Sequence, residues 1–229
     1  MTNNFKTWVP DHNDFSFGRT LMIVEDYSKT VQVYSRENIH FCALLYSVLS
    51  ARESFRVHRE QFNSFLENGL NTAEKVLSNQ DLVKRILRQY GFHSHKIESV
   101  ISIAREWGRL DITSRMREDT QKKNGRSLRE NINDRMDGVG YKFASLFIRM
   151  SGYEDIVPVD AWAIKYIERK GFRDRYESSG LTPKQYLKYE KRMVQHAKRF
   201  GVSPALLQAT IYAKWSTWKT HSGIICNIE

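Results

Sequence analysis

The chain has 229 residues, 41% of them hydrophobic, with 12 Phe, 11 Tyr and 5 Trp, enough for one large domain or two small ones around a real core. Four Pro and 12 Gly leave little room for long disordered segments, and the longest apolar runs, such as 41–48, are too short to span a bilayer. The formal charge of +10 is uneven. Residues 1–40 hold four Lys/Arg against five Asp/Glu, whereas 161–229 hold thirteen against five, an excess that suits a polyanion such as DNA or RNA and also serves plain solubility.

The opening Met1-Thr2-Asn3-Asn4-Phe5-Lys6 lacks the apolar core of a signal peptide, so a cytoplasmic location is expected. Residues 1–36 form a first predicted region. Within it, 20–24 and 30–34 are rich in β-branched and aromatic residues, and 25–29 supplies a turn, which predicts a small β-hairpin packing on the helical body. After Ser35 the period changes. Ile39, Cys42, Leu45, Tyr46 and Leu49 mark a helical face that opens a helical lobe over 37–125. Cys42 belongs to this apolar face, and Cys226 lies in a polar tail. With no other cysteine, neither a four-cysteine iron–sulfur cluster nor a cysteine zinc site is available, and no cofactor or metal is expected.

Helix punctuation continues along the lobe. Ser78 stands three residues before Asp81 like the start of a capping box, and Gly91 closes that segment. Residues 93–107 carry Ile97, Val100, Ile101 and Ala104 on one face, with Gly108 after them, and 109–126 reads as a charged surface helix or loop. A second lobe is predicted over 126–229. Ser127 and Glu130 suggest another capping box, while Thr182-Pro183 and Ser203-Pro204 each place a cap before a proline at the first helical position. The sum is about nine helices, no internal repeat, and a mainly α, two-lobed fold with a small N-terminal β element.

The chemistry concentrates in Met136-Asp137-Gly138-Val139-Gly140-Tyr141-Lys142, an apolar helix, and then Val157-Pro158-Val159-Asp160. Gly138 and Gly140 allow a hairpin between two helices, so 127–151 reads as a helix–hairpin–helix. Amides of Gly138, Val139 and Gly140 at a helix start suit a DNA phosphate. Lys142 falls in the first turn of the second helix. Among apolar neighbours and near a helix N-terminus, a lysine has a depressed pKa and becomes a nucleophile, while in a solvated setting it only contacts phosphate. Asp160 caps the next helix, and a carboxylate so oriented can also stabilise an oxocarbenium-like transition state or help deprotonate the lysine.

These residues resemble the helix–hairpin–helix superfamily of base-excision DNA glycosylases, whose signature is a Gly-Val-Gly hairpin, a helix and a Val-Asp ending about twenty residues on. Here those are Gly138-Val139-Gly140 and Val159-Asp160, and Lys142 occupies the place of the lysine found in bifunctional members. The Gly-Tyr-Lys-x-Ala-Ser string is most similar to the small 8-oxoguanine DNA glycosylase/lyases of archaea and some bacteria. The resemblance is strong over 127–172, looser back to Ile39, and only general elsewhere. Many members carry histidine two residues after the aspartate; this chain has Trp162. The resemblance implies a cleft carrying Lys142 and Asp160, with both as catalytic residues. It also implies glycosidic cleavage of an oxidised base, foremost 8-oxoguanine, with a lysine Schiff base and β-elimination. A different damaged or modified base, or a non-catalytic DNA-binding module, is the alternative. The implied partner is double-stranded DNA containing a damaged base, bound by a monomer with no membrane contact.

Enzymes that extract a base must fill the gap it leaves. By the same resemblance, Arg52 and Arg56 in the loop after the first long helix, and Phe92, His93 and His95 in a later turn, are candidates for the wedge or opposite-base contact. Arg52 and Arg56 equally suit surface pairing with Glu53 and Glu60. Near the end, Trp215 and Trp218 share a helical face and are base-pocket candidates or core, and Gln208 is a candidate reader of a base edge.

Overall fold

A computed structural model describes residues 38–51, 55–91, 94–119, 125–171 and 181–219. Eleven helices run through them: α1 Ile39–Leu49, α2 Phe55–Glu67, α3 Ala73–Ser78, α4 Gln80–Gln89, α5 Ser94–Arg109, α6 Ile112–Glu118, α7 Gly125–Arg135, α8 Tyr141–Met150, α9 Ala161–Arg169, α10 Pro183–Arg199 and α11 Pro204–Lys219. The described residues contain no strand, and the hairpin expected over 20–34 lies outside them. None of these helices is long and apolar enough to cross a membrane.

The packing divides the chain between Tyr153 and Glu154. The boundary expected at 125/126 is therefore not where it separates: α7 and α8 belong with the helices before them, because α8 packs on α1 and α7 on α8. In this first unit α1 is central. Residues 41–49 are all buried, so α1 is apolar on every side, as a helix surrounded by others must be. Its polar Ser47 donates to the Ala43 carbonyl at 2.8 Å, which satisfies the hydroxyl inside the core. α2, α5 and α8 pack around it.

The second unit begins with the buried segment Ile156–Val159 and continues through α9, α10 and α11. α10 opens with the expected Thr182 cap before Pro183, and the cap is a full capping box, Thr182 and Gln185 bonding each other's backbone. Ser203 Oγ likewise accepts from Leu206 N at 3.2 Å at the start of α11.

Three local expectations are corrected. Ser78 ends α3 rather than starting α4; the N-cap is Asn79, whose side chain donates back to the Lys75 carbonyl at 2.8 Å. Ser127 lies inside α7, which already runs from Gly125, and its carbonyl accepts from Asn131. Gly125 is held tightly there, since a Cβ on it would meet the Tyr153 ring at 2.7 Å. Helix α5 continues through Gly108, and the chain turns at Asp111 with φ 45. Of the charged surface helix or loop expected over 109–126, residues 112–118 form α6, and Leu110, Ile112 and Met116 are buried. The break at Asn79 and the short α6 raise the helix count above the nine expected.

Candidate functional site

In the first unit the predicted residues gather on the α7–hairpin–α8 element. Val139 N donates to the Met136 carbonyl at 3.0 Å, closing a tight turn whose third residue, Gly138, has φ +78. That angle is open to glycine and strained for other residues. The hairpin is also pinned to α5. Asp137 N donates to Ser102 Oγ at 2.9 Å, and Gly138 lies so close to Ser99 that a Cβ would come within 1.8 Å of its hydroxyl oxygen. Val139 is buried, while Gly140 is exposed, extended (φ −74, ψ 175) and caps α8 with no atom within 4 Å of where a Cβ would stand. The two glycines thus do different work. Gly138 fits the turn against α5; Gly140 leaves open space before a helix N-terminus, where backbone amides and the helix dipole favour an anion.

Lys142 is the second residue of α8 and half-buried, with Nζ 5.0 Å from the centre of the Phe143 ring. The charge of Lys142 is felt by a buried, neutral histidine of the same unit. His58 is 4% exposed and stacks on Tyr46, with Nε2 2.9 Å from the Tyr46 carbonyl. Burial pushes its pKa down to about 4; the carbonyl opposes this, and the charges of Lys96 and Lys142 add to it. Lys96 is itself buried and donates to the Leu49 and Ala51 carbonyls at 3.0 and 3.2 Å, covering the C-terminal end of α1. Tyr141, beside Lys142, donates its hydroxyl to Glu130 of α7, and this bond pushes its pKa up to about 12. The buried Arg129 guanidinium stacks over the Tyr141 ring at 5.2 Å, so α7 and α8 are locked together at the hairpin.

A second group of predicted residues lies in the other unit. Asp160 is the N-cap of α9 and accepts through Oδ1 from Trp162 N at 2.9 Å and Ala163 N at 2.8 Å. Its approach is fixed by α10. Tyr186 accepts from Val159 N and donates to the Val157 carbonyl, both at 2.9 Å, and the buried Glu190 accepts from Val157 N at 3.4 Å. The other carboxylate oxygen, Oδ2, accepts from Gln208 Nε2 of α11 at 2.9 Å. Trp162 lies under the Lys165 ammonium, 4.7 Å from its ring centre.

Of the other predicted residues, His95 is exposed on α5, 3.8 Å from the Glu98 carboxylate. Arg52, Phe92 and His93 lie outside the described residues, as do the side chains of Arg56, Trp215 and Trp218. Gln208 is buried rather than open. Its amide nitrogen is engaged by Asp160, not by solvent. Among the described residues no group of three or more His, Cys, Asp or Glu is arranged to hold a metal. The buried Cys42 thiol is pushed up to about 11 by burial. Sequence reading missed Ser99, Ser102, Tyr186 and Glu190, whose partners lie far away in the chain and leave no local pattern.

The fold is shared with small helical DNA glycosylases of known structure. The Methanocaldococcus jannaschii 8-oxoguanine glycosylase/lyase, solved with a 15mer DNA containing 8-oxoguanine, matches with a TM-score of 0.69 at 16% identity, covering 86% of this chain and 91% of that one. The 8-oxoguanine DNA glycosylase of Thermotoga maritima matches with a TM-score of 0.63 at 21% identity, over 87% and 94%. In sequence, the 8-oxoguanine DNA glycosylase/AP lyase of Sulfolobus acidocaldarius is 27% identical over 181 residues, 78% of this chain and 82% of that protein. The Aquifex aeolicus protein of the same name is 33% identical over 97 residues, 40% of this chain and 42% of that protein. The profile of the family described as 8-oxoguanine DNA glycosylase matches residues 22–202, and the chain belongs to that family.

Proposed function

We propose that this protein is a bifunctional DNA glycosylase/AP lyase of base excision repair that removes 8-oxoguanine from double-stranded DNA. The observation that carries the reading is Lys142, the second residue of the helix opened by the Gly138-Val139-Gly140 hairpin, in a chain that the family profile covers over 22–202. The hairpin amides hold a backbone phosphate and bring the extruded nucleotide to the lysine. The neutral Lys142 amine attacks C1′ of the deoxyribose. The C1′–N bond to the base breaks, its electron pair leaves with the base, and a proton from the amine is released. Asp160 supplies the negative charge that stabilises the positive charge developing on the sugar. Ring opening gives a Schiff base on Lys142, and β-elimination cleaves the strand 3′ to the lesion.

The test is incubation with a duplex carrying one 8-oxoguanine, reading base release and strand nicking separately. Wild type produces both. Lys142→Gln binds the duplex and produces neither. Binding without cleavage by the wild type would leave a non-catalytic DNA-binding module, and cleavage confined to another lesion would move the substrate.

A further inference from the structure

We infer that Gln208 is a positioning residue for Asp160: its buried carboxamide fixes the carboxylate that the α9 backbone holds from one side only. This rests on the role proposed above for Asp160. The two oxygens of that carboxylate are divided between different parts of the chain. Oδ1 accepts from two backbone amides of α9, and Oδ2 accepts from Gln208 Nε2 at 2.9 Å, 48 residues away. One anchored oxygen leaves a carboxylate free to turn about the Cβ–Cγ bond. Anchoring both fixes its plane, and a few tenths of an ångström or some degrees at a reacting group are costly.

The placement of Gln208 supports a fixed donor. It is 3% exposed, and its neighbours Leu207, Ala209, Thr210 and Ile211 are buried as well, so this turn of α11 faces protein on all sides. Thr210 satisfies its hydroxyl within the helix, on the Leu206 carbonyl at 2.9 Å. The Gln208 amide instead reaches across to α9, against which α11 packs. A buried amide that lost this acceptor would remain dehydrated, so the contact is favoured from both sides. The opposing idea, that Gln208 reads the edge of the excised base, would use the carboxamide's second N–H or its oxygen, on a side chain that is only 3% exposed.

A double-mutant cycle separates these roles. Gln208→Met keeps length and volume and removes the donor; it is combined with Asp160→Asn, and single-turnover excision of 8-oxoguanine is measured in all four proteins. Loss of one hydrogen bond to a charged group predicts a fall of about 10- to 100-fold for Gln208→Met. Affinity for a duplex with an uncleavable abasic analogue, and the preference for 8-oxoguanine over guanine, stay at wild-type values. In the Asp160→Asn background the same change lowers the rate by less than about threefold, because the group it positions is already gone. An equal fall in both backgrounds overturns the inference in favour of general packing. A collapsed preference for 8-oxoguanine overturns it in favour of base reading. Wild-type excision by Asp160→Asn alone would instead remove the role of Asp160 beneath it, a result distinguishable from either. Thermal melting of Gln208→Met accompanies the rates; should it not fold, Gln208→Leu, which also lacks the donor, takes its place with the same expected coupling.

Discussion

Replacing Gly138 with alanine tests whether the hairpin is wedged against α5. The geometry imposes two costs. At φ +78, alanine meets the left-handed strain of an L residue, about 1–2 kcal/mol. The new methyl also meets Ser99 Oγ at 1.8 Å and Ser99 Cβ at 2.8 Å. The hydroxyl can swing away if it gives up its 2.8 Å bond to the His95 carbonyl, but Ser99 Cβ rides on the α5 backbone and moves only with the helix. Overpacking of that kind costs about 1–3 kcal/mol. The sum is about 2–5 kcal/mol, which for a chain of this size lowers Tm by roughly 4–20 °C. Urea and thermal denaturation measure it. Adding Ser99→Gly should return the steric part and leave the strain of about 1–2 kcal/mol. Gly140→Ala is the control. With φ −74 and nothing within 4 Å, it should cost no more than about 1 kcal/mol, the difference between glycine and alanine as an N-cap, so a larger loss in DNA affinity there reads phosphate approach. A Gly138→Ala protein within about 0.5 kcal/mol of wild type would refute the wedge.

Three further outcomes are expected. Asp160→Ala removes the α9 cap and the acceptor of the buried Gln208 amide nitrogen, for a loss of about 2–4 kcal/mol in urea denaturation; Asp160→Asn keeps an acceptor for the cap, and a flipped Gln208 can accept from it, so it costs about 1 kcal/mol or less, while excision slows to a small but measurable rate in both. Folding stability should fall as pH drops from about 6.5 towards 4. The unfolded chain binds a proton at His58 in that window and the folded chain does not, so the neutral form's advantage, about 3 kcal/mol at most, is present above 6.5 and lost on acidification. In His58→Gln that part of the pH dependence should vanish, as compared by denaturation at matched pH values. Thr182→Ala breaks the reciprocal cap of α10 and should cost about 1 kcal/mol, with no change in DNA affinity.

What could be read from the sequence is local. Glycines two apart before a lysine gave the hairpin and the helix start, and the Val-Asp ending gave a cap, because each depends on backbone angles or bonds within three residues. Thr182-Pro183 was legible for the same reason. Ser78 and Ser127 misled because a capping pattern is short and recurs by chance. Tight packing of Gly125 on Tyr153, two residues before Ser127, has no local mark. The supports of the site were invisible for a related reason. Ser102 holds Asp137 across 35 residues, Tyr186 holds Val159 across 27, and Gln208 holds Asp160 across 48. Periodicity shows that a helix has a buried face but not which helix will meet it.

Everything proposed for the reaction turns on Lys142 as the nucleophile. Covalent trapping with sodium borohydride on a duplex containing 8-oxoguanine, with wild type and Lys142→Gln in parallel, measures it directly. A reduced protein–DNA adduct is expected for the wild type, mapped by peptide mass to Lys142, and none for the variant. An adduct of equal yield in Lys142→Gln, or 8-oxoguanine released by the wild type with no adduct at all, would contradict that role.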